Sequence, residues 1–122
     1  MKNKLLILLI AFLGIFQNAS AQAPENVNYQ AIARDTAGNP LANQILTVRL
    51  SVVKGTTAGP IQWQETHSAT TNSFGQYRVQ LGTGTSTGLG ISASFSSINW
   101  GNNNYFLRTE INPGTGFVNM GT

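Results

Sequence analysis

The sequence predicts an all-β domain, an antiparallel β-sandwich, on three observations. Apolar residues recur at every second position in segment after segment, and no segment repeats them at the helical period. Clusters of Gly, Pro, Asn, Asp and Ser separate those segments at intervals of about eight to twelve residues. Of 122 residues, 41% are hydrophobic, 9% are charged and none is cysteine. Such a chain has to be held by strand pairing and apolar packing, with no disulfide to help.

The first twenty or so residues stand apart from that pattern. Lys2 and Lys4 precede an uninterrupted apolar run, Leu5 to Phe16, of 12 residues, too short for the ~20 that cross a bilayer as a helix. Ala19-Ser20-Ala21 follows, the small-x-small pattern a signal peptidase accepts. Residues 1–21 therefore read as a signal peptide cleaved between Ala21 and Gln22, and residues 22–122 as a β-sandwich domain exported through the inner membrane. Cleavage leaves 101 residues, in which Arg34, Arg49, Lys54, Arg78 and Arg108 oppose Glu25, Asp35, Glu65 and Glu110. The formal charge falls from +3 to +1. Charges so few and so scattered form no stripe against phosphates or anionic lipid, which argues against nucleic-acid and membrane-surface partners.

Taken in order, the first strand is expected where Val27, Tyr29, Ala31 and Ala33 alternate with Asn28, Gln30 and Arg34. Asp35-Thr36-Ala37-Gly38-Asn39-Pro40 ends it in a turn. Leu46, Val48, Leu50 and Val52 alternate with Thr47, Arg49 and Ser51, giving one dry face and one wet face. After the loop Lys54 to Pro60, extended pattern resumes from Ile61 to His67 with Ile61 and Trp63 inward, completing a hairpin with a long tip. Asn72-Ser73-Phe74-Gly75 turns the chain into a fourth strand, in which Tyr77, Val79 and Leu81 alternate with Gln76, Arg78 and Gln80. The Gly/Thr/Ser tract Gly82 to Gly90 reads as a mobile loop crossing between sheets. Phe95 to Trp100 suits one helical turn that plugs Ile98 and Trp100 into an end of the sandwich, and Tyr105 to Ile111 alternates as a further strand. Phe117 to Met120 begins another. About five to seven short strands of this kind fit an immunoglobulin-like or transthyretin-like sandwich, between which alternation does not choose.

Residues with chemistry in them are sparse. His67 is the one histidine, so a zinc site would need its remaining ligands from four scattered carboxylates; it reads as a polar strand residue on the same face as Glu65. No Gly-x-Ser-x-Gly elbow occurs, and Gly82-Thr83-Gly84-Thr85 lacks the lysine and helix of a phosphate loop. Glu65 and Glu110 are the pair a glycosidase would require, but both fall within strands, where they read as solvated-face charges. Trp63, Trp100, Tyr29, Tyr77 and Tyr105 could form a sugar-stacking platform beside Asn102, Asn103 and Asn104. The parity of most of these rings favours core packing over binding; under the binding alternative Trp63, Trp100 and Asn103 are the candidate glycan contacts. No catalytic residue, metal or cofactor is expected.

Asn28 to Asp35, Gly38 to Gln44, Glu65-Thr66-His67, Phe95 to Gly101 and Tyr105 to Arg108 together resemble the amino-terminal domain of a class of uncharacterised exported and surface proteins of Bacteroidota. The resemblance spans about the whole of residues 22–122 and keeps the order of the motifs. It implies that the chain opens a longer secreted or surface protein, with fibre-like or sorting parts beyond Thr122. Asp35-x-x-Gly38-x-Pro40-Leu41 with Thr71-x-x-x-Gly75-x-Tyr77 is similar to carboxypeptidase-regulatory-like sandwiches, and implies the fold rather than an activity. Asp35-Thr36-Ala37 resembles the O-glycosylation signal of exported proteins of the same phylum, with Thr36 as acceptor. The expected function is that of a non-catalytic structural or interaction module of a secreted or cell-surface protein, with carbohydrate binding as the alternative. The expected partners are downstream domains, neighbouring surface proteins or polysaccharide.

Overall fold

The computed structural model describes residues 2–4 and 25–122. The apolar run of the expected leader and its cleavage point at Ala21 and Gln22 lie outside the described residues. From there the chain is nearly all β: β1 (Val27–Ile32), β2 (Ile45–Lys54), β3 (Ile61–Thr70), β4 (Gln76–Leu81), β5 (Thr85–Ser86), β6 (Tyr105–Asn112) and β7 (Val118–Gly121). A single 3-10 turn at Phe95–Ser97 lies between β5 and β6. Two antiparallel sheets result, β1-β4 and β5-β3-β2-β6-β7.

β2 is central because its sequence allows both faces to be covered. Leu46, Val48, Leu50 and Val52 point toward the small sheet and are each no more than 2% exposed. Burial of each such side chain is worth about 1.5–3 kcal/mol. On the other face Ser51 and Val53 are also buried, and a bulge between Val52 and Val53 shifts the register with β3. The small sheet contributes Tyr77, Val79 and Leu81 from β4, with Tyr29 and Ala31 of β1 packed alongside. The Tyr29 and Tyr77 rings lie 6.3 Å apart, and the Thr109 hydroxyl of β6 donates to the Tyr29 hydroxyl at 3.0 Å, bridging the sheets. Burial, reinforced by neighbouring Tyr29, pushes the Tyr77 phenol well above its usual value.

The two sides of the sandwich differ. β4 lies along β3, and there the Gly82–Gly90 tract crosses from the small sheet to the large one. It crosses as expected, but it is not the free loop the composition suggested. Thr85 and Ser86 pair with Thr66 and Glu65 as β5, and the amides of Thr87, Ile91 and Ser92 donate to the carbonyls of Gln64, Ile61 and Gln62 at 2.9–3.2 Å. The tract is fastened along β3 because that edge offers unpaired backbone groups. On the opposite side, among the described residues, β7 pairs with β6 alone and forms an open edge. The 3-10 turn closes one end, burying Phe95 and Ile98 and setting Trp100 edge-on against Phe95 at 5.3 Å and Tyr105 at 5.1 Å.

Candidate functional site

The register of β2 with β3 places Trp63 opposite Val52, Glu65 opposite Leu50 and His67 opposite Val48. Cross-strand partners share a face, so all three side chains point inward. Glu65 is 0% exposed. This corrects the expectation of a solvated-face charge: the alternation that turns Trp63 inward carries Glu65 and His67 with it.

A carboxylate so buried needs donors for both oxygens, and the local sequence supplies them. Trp63, two positions away on the same face, donates its Nε1–H to Oε2 at 2.7 Å. His67 Nε2 lies 2.6 Å from Oε1, and with its hydrogen on that nitrogen it donates as well. Gly82 donates its backbone N–H to Oε1 at 2.8 Å, with Gly84 farther off at 3.4 Å. The crossover reaches Glu65 because Gly82 adopts a φ of +101° and because a side chain at Gly84 would stand 2.6 Å from His67 Nε2. Glycine is what lets this backbone lie flat against β3. His67, its side chain 11% exposed, is spent on the same contact. Chemically the cluster is a clamp: a saturated acceptor that ties two strand residues and the crossover to one point.

Glu110 and Asp35 are likewise engaged. Glu110 pairs with Arg49 through two bonds, Nε to Oε2 at 2.7 Å and Nη2 to Oε1 at 2.8 Å. The Arg49 guanidinium holds the Glu110 carboxyl below its ordinary value and is itself raised by it, and its carbon sits 3.8 Å over the Phe117 ring. Glu110 pairs with Arg49 and Glu65 with Leu50, its neighbour on β2, so the two glutamates project from opposite faces of one sheet. They cannot flank one glycosidic bond. Asp35 accepts the amides of Ala37 and Asn39 at 2.9 and 2.8 Å, and these backbone bonds, that of Asn39 foremost, hold its carboxyl below its ordinary value. Thr36 is exposed in the turn so formed. Among the described residues no three His, Cys, Asp or Glu converge as metal ligands, and no helix is long and apolar enough to cross a membrane.

Against the clamp lies an open groove of about 390 Å³, within the range of small-molecule sites, ~300–1,000 Å³. Trp63 supplies its aromatic surface, with Phe95, 3% exposed, forming its floor; Gly82 and Gly84 expose backbone, Ser86, Ser94 and Ser96 bring hydroxyls, and Glu25 is the acidic residue of its lining. Of the residues singled out in sequence as glycan contacts, Trp63 lines this groove. Trp100 packs behind Phe95 and Asn103 sits exposed in the turn before β6, so the three do not form one surface. The groove's serines come from two segments with no periodic signal, and nothing in the sequence singled them out.

Over residues 28–121 the chain matches the sequence family described as a domain of unknown function (DUF8740). No curated protein and no solved structure matches it.

Proposed function

Since the chain belongs to the DUF8740 family, whose description assigns no activity, we propose a function from its residues: it is a non-catalytic structural or interaction module of an exported protein. The observation that carries this reading is the edge strand β7. All four of its residues are exposed, and Phe117, Val118 and Met120 present apolar side chains at 38%, 40% and 36% exposure beside unpaired backbone groups. An edge of this kind adds a further strand readily. The engagement of Glu65, Glu110 and His67 in structural bonds supports a non-catalytic role.

Among the described residues both sheets and the core fall within residues 22–122, and the self-association of that segment tests the proposal. In sedimentation experiments between about 10 µM and 1 mM, the weight-average mass should rise with concentration. It should stay monomeric in a Val118→Lys/Met120→Lys variant, because lysines on an edge oppose pairing. A wild-type chain that is monomeric throughout, with a melting transition independent of concentration, would rule out β7 as the interacting edge.

Export rests on Lys2, Lys4, the apolar run Leu5 to Phe16 and the Ala19-Ser20-Ala21 exit. The exposed turn around Thr36 supports its role as a glycan acceptor. One measurement covers both: the intact mass of the protein recovered from its native host should correspond to a chain beginning at Gln22 plus a hexose-containing increment lost in Thr36→Ala. A mass that retains residues 1–21 sinks the export reading, and equal masses after correction for the substitution sink the modification.

A second reading, a carbohydrate-binding module, is favoured by the groove in which an indole and three serine hydroxyls meet. Aromatic surface beside hydroxyls matches the alternating apolar and polar faces of a sugar.

A further inference from the structure

We propose that the groove over the crossover binds a neutral oligosaccharide and discriminates against acidic ones, an inference that rests on the second reading above and gives it a location and a selectivity. Three features argue for it. The first is composition: among the lining residues, hydroxyls come from Ser86, Ser94 and Ser96, and aromatic surface from the Trp63 indole, backed by buried Phe95. Serine hydroxyls both donate and accept, as sugar hydroxyls do. The second is charge. Among the described residues Glu25 is the one charged group in the lining, so a carboxylate or sulfate on the ligand meets repulsion with no cation among them to answer it, while a neutral hydroxyl can donate to Glu25.

The third is rigidity. Trp63 is held at its indole nitrogen by buried Glu65, the same carboxylate that receives Gly82, and the opposite wall is braced by Ser97 Oγ, which donates to the Ser94 carbonyl at 2.8 Å. Both walls are therefore fixed before a ligand arrives, which lowers the ordering cost of binding. The clamp thus acquires a purpose beyond stability: it sets the indole and the glycine backbone on one side of the groove.

Isothermal titration of residues 22–122 with cellohexaose, chitohexaose, maltohexaose and hexagalacturonate tests the assignment, with indole fluorescence as a second readout. At least one neutral hexasaccharide should bind saturably, and hexagalacturonate at least about tenfold more weakly. Ser96→Trp, at an exposed position of the 3-10 turn, fills the groove without entering the core. It should reduce binding at least about tenfold while leaving the melting temperature unchanged. Glu25→Lys should narrow or reverse the preference over hexagalacturonate. Saturable binding that survives Ser96→Trp undiminished overturns the groove and leaves the carbohydrate reading standing elsewhere on the surface. Equal or tighter binding of hexagalacturonate by the wild-type chain overturns the selectivity. No saturable binding of any neutral hexasaccharide up to about 10 mM overturns both the groove and the reading on which it rests.

Discussion

Replacing Glu65 with leucine should destabilise the domain by about 3–5 kcal/mol, the largest effect expected of any single polar substitution in it. Leucine approximates the volume and removes the acceptor. Trp63 Nε1–H, Gly82 N–H and His67 Nε2, all directed at one carboxylate, are then left facing an apolar group. Each stranded donor costs about 1–3 kcal/mol, and a domain of this size has about 5–15 kcal/mol in all. Glu65→Gln should fall between wild type and Glu65→Leu, because one oxygen persists while the new amide hydrogens face existing donors. Urea unfolding provides the measurement, read as a fall in midpoint at constant slope. A loss below about 1 kcal/mol for Glu65→Leu would mean that solvent reaches these donors and that the clamp is not closed.

Gly82→Val should cost about 3 kcal/mol or more, for two separable reasons. At φ +101° a β-branched residue is strained, and its Cβ would stand 2.5 Å from the Glu25 carbonyl oxygen and 2.8 Å from the Phe95 ring. Gly88 separates the two terms: its φ is +79° and nothing lies within 4 Å of a Cβ placed there. Gly88→Ala should therefore lose about 1 kcal/mol from backbone strain alone, with Gly82→Ala distinctly worse. Equal losses at the two positions would show that the crossover can lift from β3 at little cost.

Much of the fold was legible because alternation is a local signal. Leu46 to Val52 announces a strand by itself, as does Tyr77 to Leu81, and both lie in the core with the expected parity. Parity also held the candidate site: Trp63, Glu65, His67 and Ala69 alternate with Gln62, Gln64, Thr66 and Ser68, and continuing from Trp63 puts the carboxylate inside. The general preference of glutamate for water argued the other way, and four donors gathered from β3 and the crossover outweigh it. Pairings between distant strands were not legible, since alternation does not specify partners. The same limit hid the burial of Ser51, Gln62 and Gln64 on the face expected to be wet. That face is dry because the segment after β5 folds back over it, where the Thr87 hydroxyl donates to Gln64 Oε1 and Gln64 Nε2 donates to Ser51 Oγ, at 2.9 and 2.8 Å.

The strand order also constrains how the chain reaches this state. β2 and β3 are joined directly by the loop between Lys54 and Ile61, but β1 and β4 pair residues 44 to 54 positions apart, and β2 and β6 pair residues 51 to 65 apart. Closing such loops costs chain entropy before the contacts return it, which places the domain with topologies that fold in about milliseconds to seconds rather than microseconds. Of the pairings between strands adjacent in sequence, the β2–β3 hairpin is the longer, beside the short β6–β7 pair, and it carries Glu65 with its apolar neighbours. Until Gly82 arrives from the far end of β4, that carboxylate remains in water, so its burial belongs to the late, cooperative part of folding.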